Sequence, residues 1–141
     1  MAISFHSQHT HFDLKQKIRH KHWIIDCIGS YSKVPGAIDF VFTSNAHLLR
    51  LNREYLNHNY FTDVITFDYT DGNIISGDVF ISIDQVKENA SFYKVLPEIE
   101  LRRVMIHGML HLMGFNDNSE AEKKGMREME NEALNVWSKG E

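Results

Sequence analysis

One stretch of the sequence, HGMLHLMGFND at residues 107–117, is the most informative feature of the chain. His107 and His111 stand one helical turn apart, so their side chains lie on one helix face with Cβ atoms about 5 to 6 Å apart. Two ring nitrogens at this spacing can reach one zinc ion at about 2.0 to 2.1 Å. Gly114 favours a left-handed turn that ends the helix and brings the following residues back over the histidines. The stretch therefore predicts a metal-binding helix followed by a glycine turn.

Asp117 is the best placed third ligand, because it follows this turn closely. We predict one zinc ion per chain, bound by His107, His111 and Asp117. Three protein ligands leave a fourth position for water or substrate, which is typical of catalytic zinc. The alternative is that the two histidines are hydrogen-bonded core residues of an apolar helix. Helical zinc proteases carry glutamate directly after the first histidine, and Gly108 in that position disfavours peptide hydrolysis.

The composition is that of an ordinary soluble domain. A chain of 141 residues, 43% hydrophobic and 24% charged, predicts a single domain over residues 1–141. The net charge of -4 argues against a protein that coats nucleic acid through global charge. The single cysteine, Cys27, excludes an intramolecular disulfide and fits a reducing cytosol. Because the first residues lack a signal-peptide pattern and no apolar run is long enough to span a membrane, we expect a cytoplasmic protein with no membrane partner.

Positive charge is concentrated near the first predicted helix, in the side chains Lys15, Lys17, Arg19, His20, Lys21 and His22. A run of this kind is usually a solvated helix face. The alternative is a local phosphate-binding patch.

Hydrophobic periodicity predicts four strands, at residues 3–5, 37–42, 64–67 and 77–83. It predicts helices at residues 12–28, 45–55, 84–93, 97–113 and 120–137, the last with Ser119 and Glu122 as a capping box. Together these elements predict one α+β domain, in which about five helices pack on a small mixed four-stranded sheet. We expect Phe67, Leu110 and Leu112 in the core. The apolar side of the first helix is expected to carry Leu14, Ile18, Ile25 and Ile28.

Four blocks of residues, in this order, resemble the YbeY family of bacterial endoribonucleases. They are Leu51-Asn52-x-x-Tyr55, Thr62-x-Val64-Ile65-Thr66-Phe67, Gly77-Asp78-Val79-x-Ile81 and His107-Gly108-x-Leu110-His111-Leu112-x-Gly114-Phe115. The resemblance covers most of the chain after the first helix. It implies a metal-dependent enzyme linked to the maturation of ribosomal RNA.

Three positions differ from the usual family pattern. Asp117 stands where the family has a third histidine, so the ligand set is two histidines and one carboxylate, which zinc tolerates. Leu56 stands where many relatives carry an arginine that looks important for activity, because its guanidinium would clamp a phosphate. Phe61 replaces a proline and removes no chemical group. Arg53, Arg103 or His58 are candidates for the missing cation, although each is also compatible with ordinary surface charge.

The resemblance implies a zinc-dependent endoribonuclease that cleaves single-stranded RNA and acts in rRNA processing and ribosome maturation. Its partners would be ribosomal RNA and the small ribosomal subunit. A zinc-activated water would hydrolyse the phosphodiester. The general base is open among Asp63, Asp78, Glu100 and Glu120, and we take Glu100, Arg53 and Arg103 as catalytic candidates.

Two other functions compete with this prediction. One is a non-catalytic ribosome assembly factor whose zinc only holds the C-terminal helices together, which the loss of the arginine at Leu56 favours. The other is a zinc hydrolase of a small molecule or peptide, since proteases also use a helix, a turn and a third ligand. A fourth protein ligand on the metal would favour the structural role, and an open fourth position favours an enzyme.

Overall fold

The structure is a computed structural model that describes residues 2–59 and 62–140, so Phe61 lies outside the described residues. Its strands are β1 (Ala2–Ser7), β2 (Val34–Thr43), β3 (Val64–Asp68) and β4 (Ile74–Ser82). Its helices are α1 (Lys17–Ser30), α2 (Asn45–Leu56), α3 (Ile83–Tyr93), α4 (Pro97–Leu112) and α5 (Glu120–Lys139). The strands form one sheet in the order β1-β2-β4-β3, in which β3 alone is antiparallel to its neighbour. The predicted α+β domain with a mixed four-stranded sheet is confirmed.

One face of the sheet carries the main hydrophobic core. Phe40 pairs with Val79 and Phe42 with Ile81, so these side chains point to the same face, and all four are almost completely buried. Helix α1 contacts β1 and β2, whereas α4 contacts β3 and β4. On the opposite face, α2 contacts β3 and β4 and buries Leu48.

Helix α4 lies very close to the sheet because a glycine stands on each side of this contact, Gly108 on α4 and Gly77 on β4. A Cβ atom at Gly108 would lie 2.7 Å from Val79 Cγ1, and one at Gly77 would lie 2.8 Å from Leu112 Cδ2. Neither distance is compatible with ordinary van der Waals contact. Leu110 and Leu112 are 0% and 1% exposed, which confirms their predicted place in the core.

The prediction that Phe67 is buried in this core was wrong, because Phe67 is only half-buried and lies on the other face. Side chains alternate along β3, so Val64 and Thr66 lie against Gly108 while Phe67 points away. Its ring instead packs edge-on against Tyr55 of α2 and Phe80 of β4, at centroid distances of 5.7 and 5.8 Å.

The first helix begins at Lys17 and not at Phe12. Gln16 has a left-handed backbone, with φ of 56°, which separates the helix from the residues before it. Leu14 is buried as predicted, but it lies in the irregular segment before the helix and not on a helix face. The expectation for Ile18 was also wrong: it is 74% exposed, because the buried side of α1 is formed by His20, Trp23, Ile24 and Ile28.

Strands β2 and β4 both begin earlier than predicted, at Val34 and Ile74, because these two residues pair with each other. Strand β4 ends at Ser82, whose hydroxyl caps α3 by accepting from the Gln85 backbone N–H at 3.1 Å. The predicted capping box of Ser119 and Glu122 is confirmed at the start of α5. Among the described helices, none is long and apolar enough to cross a membrane.

We predict that Gly108→Ala destabilises the protein by about 1 to 3 kcal/mol, because the added methyl overpacks the contact between α4 and the sheet. Gly125→Ala is the matched control: Gly125 lies in α5, where an added Cβ would meet no neighbouring atom within 4 Å, and alanine there should stabilise the helix by about 0.5 to 1 kcal/mol. Urea unfolding of both variants measures the difference. Equal stability of Gly108→Ala and the wild type would show that α4 does not need this close approach.

Candidate metal centre

A cleft of about 760 Å³ lies beside α4, with β3 as its floor and with α5, α2 and α3 around it. His107 and His111 project into it from the side of α4 that faces away from the core. Helix α4 ends at Leu112, where the Phe115 N–H donates to the Leu110 carbonyl at 3.0 Å. Gly114 makes the turn with φ of 96°, a backbone conformation that favours glycine. The chain then returns and places Asp117 beside the two histidines.

The three predicted ligands lie close together. The Nε2 atoms of His107 and His111 are 3.0 Å apart. Asp117 Oδ2 lies 3.3 Å from His107 Nε2, and Asp117 Oδ1 lies 3.6 Å from His111 Nε2. Among the described residues, this is the one group of three or more histidine, cysteine or acidic side chains whose ligand atoms all lie within 4.8 Å of one another.

These separations fit a tetrahedral metal ion. Bonds of about 2.0 to 2.1 Å at tetrahedral angles place ligand atoms about 3.3 to 3.4 Å from one another. The observed separations of 3.0 to 3.6 Å fall on both sides of this value. The triad therefore needs only small side-chain adjustments to hold a zinc ion, and it leaves one tetrahedral position for another ligand.

Glu130 of α5 is a candidate functional residue that the sequence prediction missed. It is 4% exposed, and its Oε2 accepts a hydrogen bond from His107 Nδ1 at 2.8 Å. Its other oxygen accepts from Arg103 at 2.9 Å. A carboxylate behind a ligating histidine fixes the ring orientation and its tautomer. The available signal was its spacing, because Glu130 interrupts the apolar stripe between Met126 and Ala133.

Glu130 also sets the protonation of His107. Burial by itself lowers the pKa of His107, but the hydrogen bond and charge of Glu130, together with the charges of Asp117 and Asp63, outweigh burial and raise this pKa. Since Nδ1–H is held by Glu130, the proton that titrates is on Nε2, the atom that faces the other ligands. Acid therefore competes directly with a metal ion at this nitrogen.

The predicted cations do not all reach the cleft. Arg103 lines it, but its guanidinium donates to Glu130 and, at 2.8 Å, to Asn131 Oδ1. Arg53 is outside the set of cleft-lining residues and donates to Asn59 Oδ1 at 2.6 Å. His58 does line the cleft, as does Leu56.

The basic cluster of the first helix also lies outside the set of cleft-lining residues. Lys17 is 3.4 Å from Asp13, and the Arg19 guanidinium covers the ring of Trp137 at 3.7 Å. These contacts explain much of the charge run as a solvated helix face that packs against α5.

The candidate bases are divided between two places. Asp63 and Glu100 line the cleft, and loss of solvent raises the pKa of each carboxyl. Asp78 pairs in register with Asp39 beside the core-facing Val79, so it points to the opposite face of the sheet. The side chain of Glu120, at the start of α5, is 95% exposed.

A family model and individual relatives identify the same family for this chain. The family model described as "Endoribonuclease YbeY" matches residues 2–138. The chain is 43% identical to a protein of that name from Parabacteroides distasonis over 136 residues, which cover 96% of each chain. It is 52% identical to one from Azobacteroides pseudotrichonymphae over 112 residues, which cover 79% of this chain and 81% of the relative.

A solved structure shares the fold. The solution structure of TM1509 from Thermotoga maritima matches with a TM-score of 0.65 and 22% identity, covering 99% of this chain and 93% of that one.

We predict that Glu130→Gln weakens zinc binding by about 10- to 100-fold, because glutamine keeps the shape of the side chain but removes the charge behind His107. Glu128→Gln, at an exposed position on the same helix, is the matched control and should bind zinc as the wild type does. Competition with a chromophoric chelator measures both affinities. Unchanged affinity in Glu130→Gln would exclude a role for this carboxylate in metal binding.

Proposed function

Since the chain belongs to the YbeY family of endoribonucleases, we propose that it is a zinc-dependent enzyme that cleaves single-stranded RNA during the processing of ribosomal RNA. The observation that carries this proposal is the triad of His107, His111 and Asp117, open on one side toward the cleft. A purely structural zinc normally has four protein ligands. Among the described residues, no fourth histidine, cysteine or carboxylate lies close enough to complete the set.

In this proposal the three ligands hold one zinc ion per chain, which when bound would lower the pKa of a water molecule and polarise a phosphoryl oxygen. Glu130 orients His107 through Nδ1. The helix and the glycine turn hold the ligands in fixed positions. Fixed positions of the reacting groups lower the barrier to phosphodiester hydrolysis. Asp117 contributes one negative charge, so the site has a lower net positive charge than three imidazoles would give.

For the general base we propose Asp63 in preference to Glu100, the residue favoured by the sequence. Glu100 lies two turns before His107 on α4, about 10 Å along the helix axis, which is beyond hydrogen-bond reach of a group at the metal. Asp63 is near enough to His107 for their charges to interact. Burial raises the pKa of Asp63, and a carboxylate with a raised pKa accepts a proton more readily. Asn89 donates to Asp63 Oδ2 at 3.3 Å and helps to orient it.

Two observations weigh against the rival functions. The position that carries glutamate in helical zinc proteases is Gly108, which lies against Val79 and faces the sheet. A side chain there would not reach the cleft. An assembly factor with a structural zinc would need no open cleft beside the metal, whereas here the cleft extends along both α4 and α5. The proposed partners remain ribosomal RNA and the small ribosomal subunit, in the cytoplasm.

We expect elemental analysis to find one zinc per wild-type chain and little zinc in His111→Ala, because two ligands hold zinc much less tightly than three. His22→Ala is the matched control, since His22 is exposed on α1 and outside the cleft. Undiminished zinc in His111→Ala would remove the triad as the metal site.

We expect His107→Ala to abolish zinc-dependent cleavage of a labelled single-stranded RNA, and His22→Ala to cleave as the wild type does. Duplex RNA should be a poor substrate, because a helix-mounted metal needs a bendable backbone to align water with the scissile phosphorus. The assay compares both substrates with zinc and after chelation. Equal cleavage by the wild type and His107→Ala would identify a contaminating nuclease, and no cleavage by either would favour the assembly factor.

A further inference from the structure

Three cationic side chains line the cleft, from α4 and α5: Arg103, Lys123 and Arg127. Arg103 has little freedom to bind another group. Its side chain is 19% exposed, and its guanidinium is held by the buried Glu130 and by Asn131. Removing it from Glu130 would leave a buried carboxylate without its cation, which is costly. Arg103 is therefore a support for Glu130 and His107.

The two cations of α5 that line the cleft, Lys123 and Arg127, are held less firmly than Arg103. Lys123 makes one ion pair, with Glu120 at 3.8 Å, and both side chains are more than half exposed, so this pair is weak. Arg127 is exposed and forms no hydrogen bond or ion pair with any residue in the ranges 2–59 and 62–140. Its charge does act on Glu100, which places its guanidinium toward the cleft.

Spacing puts both side chains on the cleft side of α5. Residues four apart on a helix lie on one face with Cβ atoms about 5 to 6 Å apart. Glu130, three residues after Arg127, already reaches His107 from the same helix. Lys123 and Arg127 therefore form a rim on the α5 side of the cleft that also holds the metal ligands, whereas Lys124 is exposed and does not line it.

The charge balance of the cleft shows why this rim matters. Four carboxylates line the cleft, on Asp63, Glu100, Asp117 and Glu130, and they outnumber its three cations. A divalent metal would make the lining positive by a single charge. Without the two cations of α5, the lining would be negative even with the metal bound. A polyanion such as RNA is then repelled from the site that should cleave it.

We propose that Lys123 and Arg127 bind neighbouring backbone phosphates of single-stranded RNA and align the strand along α5, over the metal ligands. This inference rests on the proposed function, because it assumes that RNA occupies the cleft. Lys123 and Arg127 would supply positive charge in a chain that has Leu56 where many relatives carry an arginine. Their role is positioning by charge, so lysine at position 127 should replace arginine in binding, and glutamine should not.

The test is the salt dependence of binding to a fluorescent 2′-O-methylated single-stranded RNA, measured by anisotropy with the zinc-loaded protein, and electrophoresis of the strand afterwards verifies that it was not cleaved. Each phosphate contact contributes about -0.7 to the slope of log affinity against log salt concentration for a single strand. Lys123→Gln and Arg127→Gln should each reduce the slope by about 0.7, and the double variant by about 1.4. Lys124→Gln and Arg127→Lys should keep the wild-type slope. With unmethylated RNA, the double variant should raise KM for cleavage much more than it lowers kcat.

The outcomes separate this inference from the function on which it rests. Cleavage by the wild type together with an unchanged slope in the double variant would overturn the role of α5 and leave the nuclease intact. A slope that falls in the double variant but not in Lys124→Gln supports the inference, even if the wild type does not cleave. A wild type that neither binds nor cleaves RNA would overturn both. Urea unfolding of the double variant should match the wild type, since both side chains are exposed.

Discussion

The close contact between α4 and the sheet is the constraint on which the site depends. Gly108 lets the helix backbone approach Val79, and Gly77 makes room for Leu112 from the other side. Because residues 107 and 108 point in different directions around the helix, burying Gly108 against the sheet turns His107 toward the cleft. The same rotation brings His111 beside it. The absence of a side chain at Gly108 therefore determines the orientation of both histidine ligands. The position that carries the catalytic glutamate in a zinc protease is here used for packing.

A second constraint joins α4 to α5. Buried ionic groups are favourable only when every member has a partner, and Glu130 satisfies this by accepting from both His107 and Arg103. These two hydrogen bonds fix the distance between α4 and α5 beside the metal ligands. It also explains why Arg103, a plausible phosphate ligand in the sequence, has a structural role in the folded protein. In the proposed function, the positive charge that contacts RNA therefore comes from Lys123 and Arg127 on the cleft side of α5.

Local signals in the sequence were sufficient where the structure is local. The His107 and His111 spacing, the turn at Gly114 and the capping box at Ser119 each involve residues a few positions apart, and each follows from helix geometry. Tertiary contacts account for what was missed. The partner of Glu130 is 23 residues away, and the face taken by Phe67 depends on which side of the sheet α4 covers. Ile18 is apolar and was expected to be buried, but the side of α1 that packs on the core carries His20 and Trp23, so Ile18 is exposed.

The replacement of a third histidine by Asp117 has consequences beyond the ligand set. A carboxylate lowers the positive charge at the metal, so bound water would ionise less readily than in a site with three imidazoles. In the proposed mechanism Asp63 compensates as the base, because burial raises its pKa and it therefore holds a proton well. The extra negative charge also makes the cleft less attractive to RNA, which increases the need for cations at the rim. In the proposed function, Asp117, Asp63, Lys123 and Arg127 thus contribute to one electrostatic balance. The carboxylates would hold the metal and accept the proton, while the two cations would attract the RNA strand.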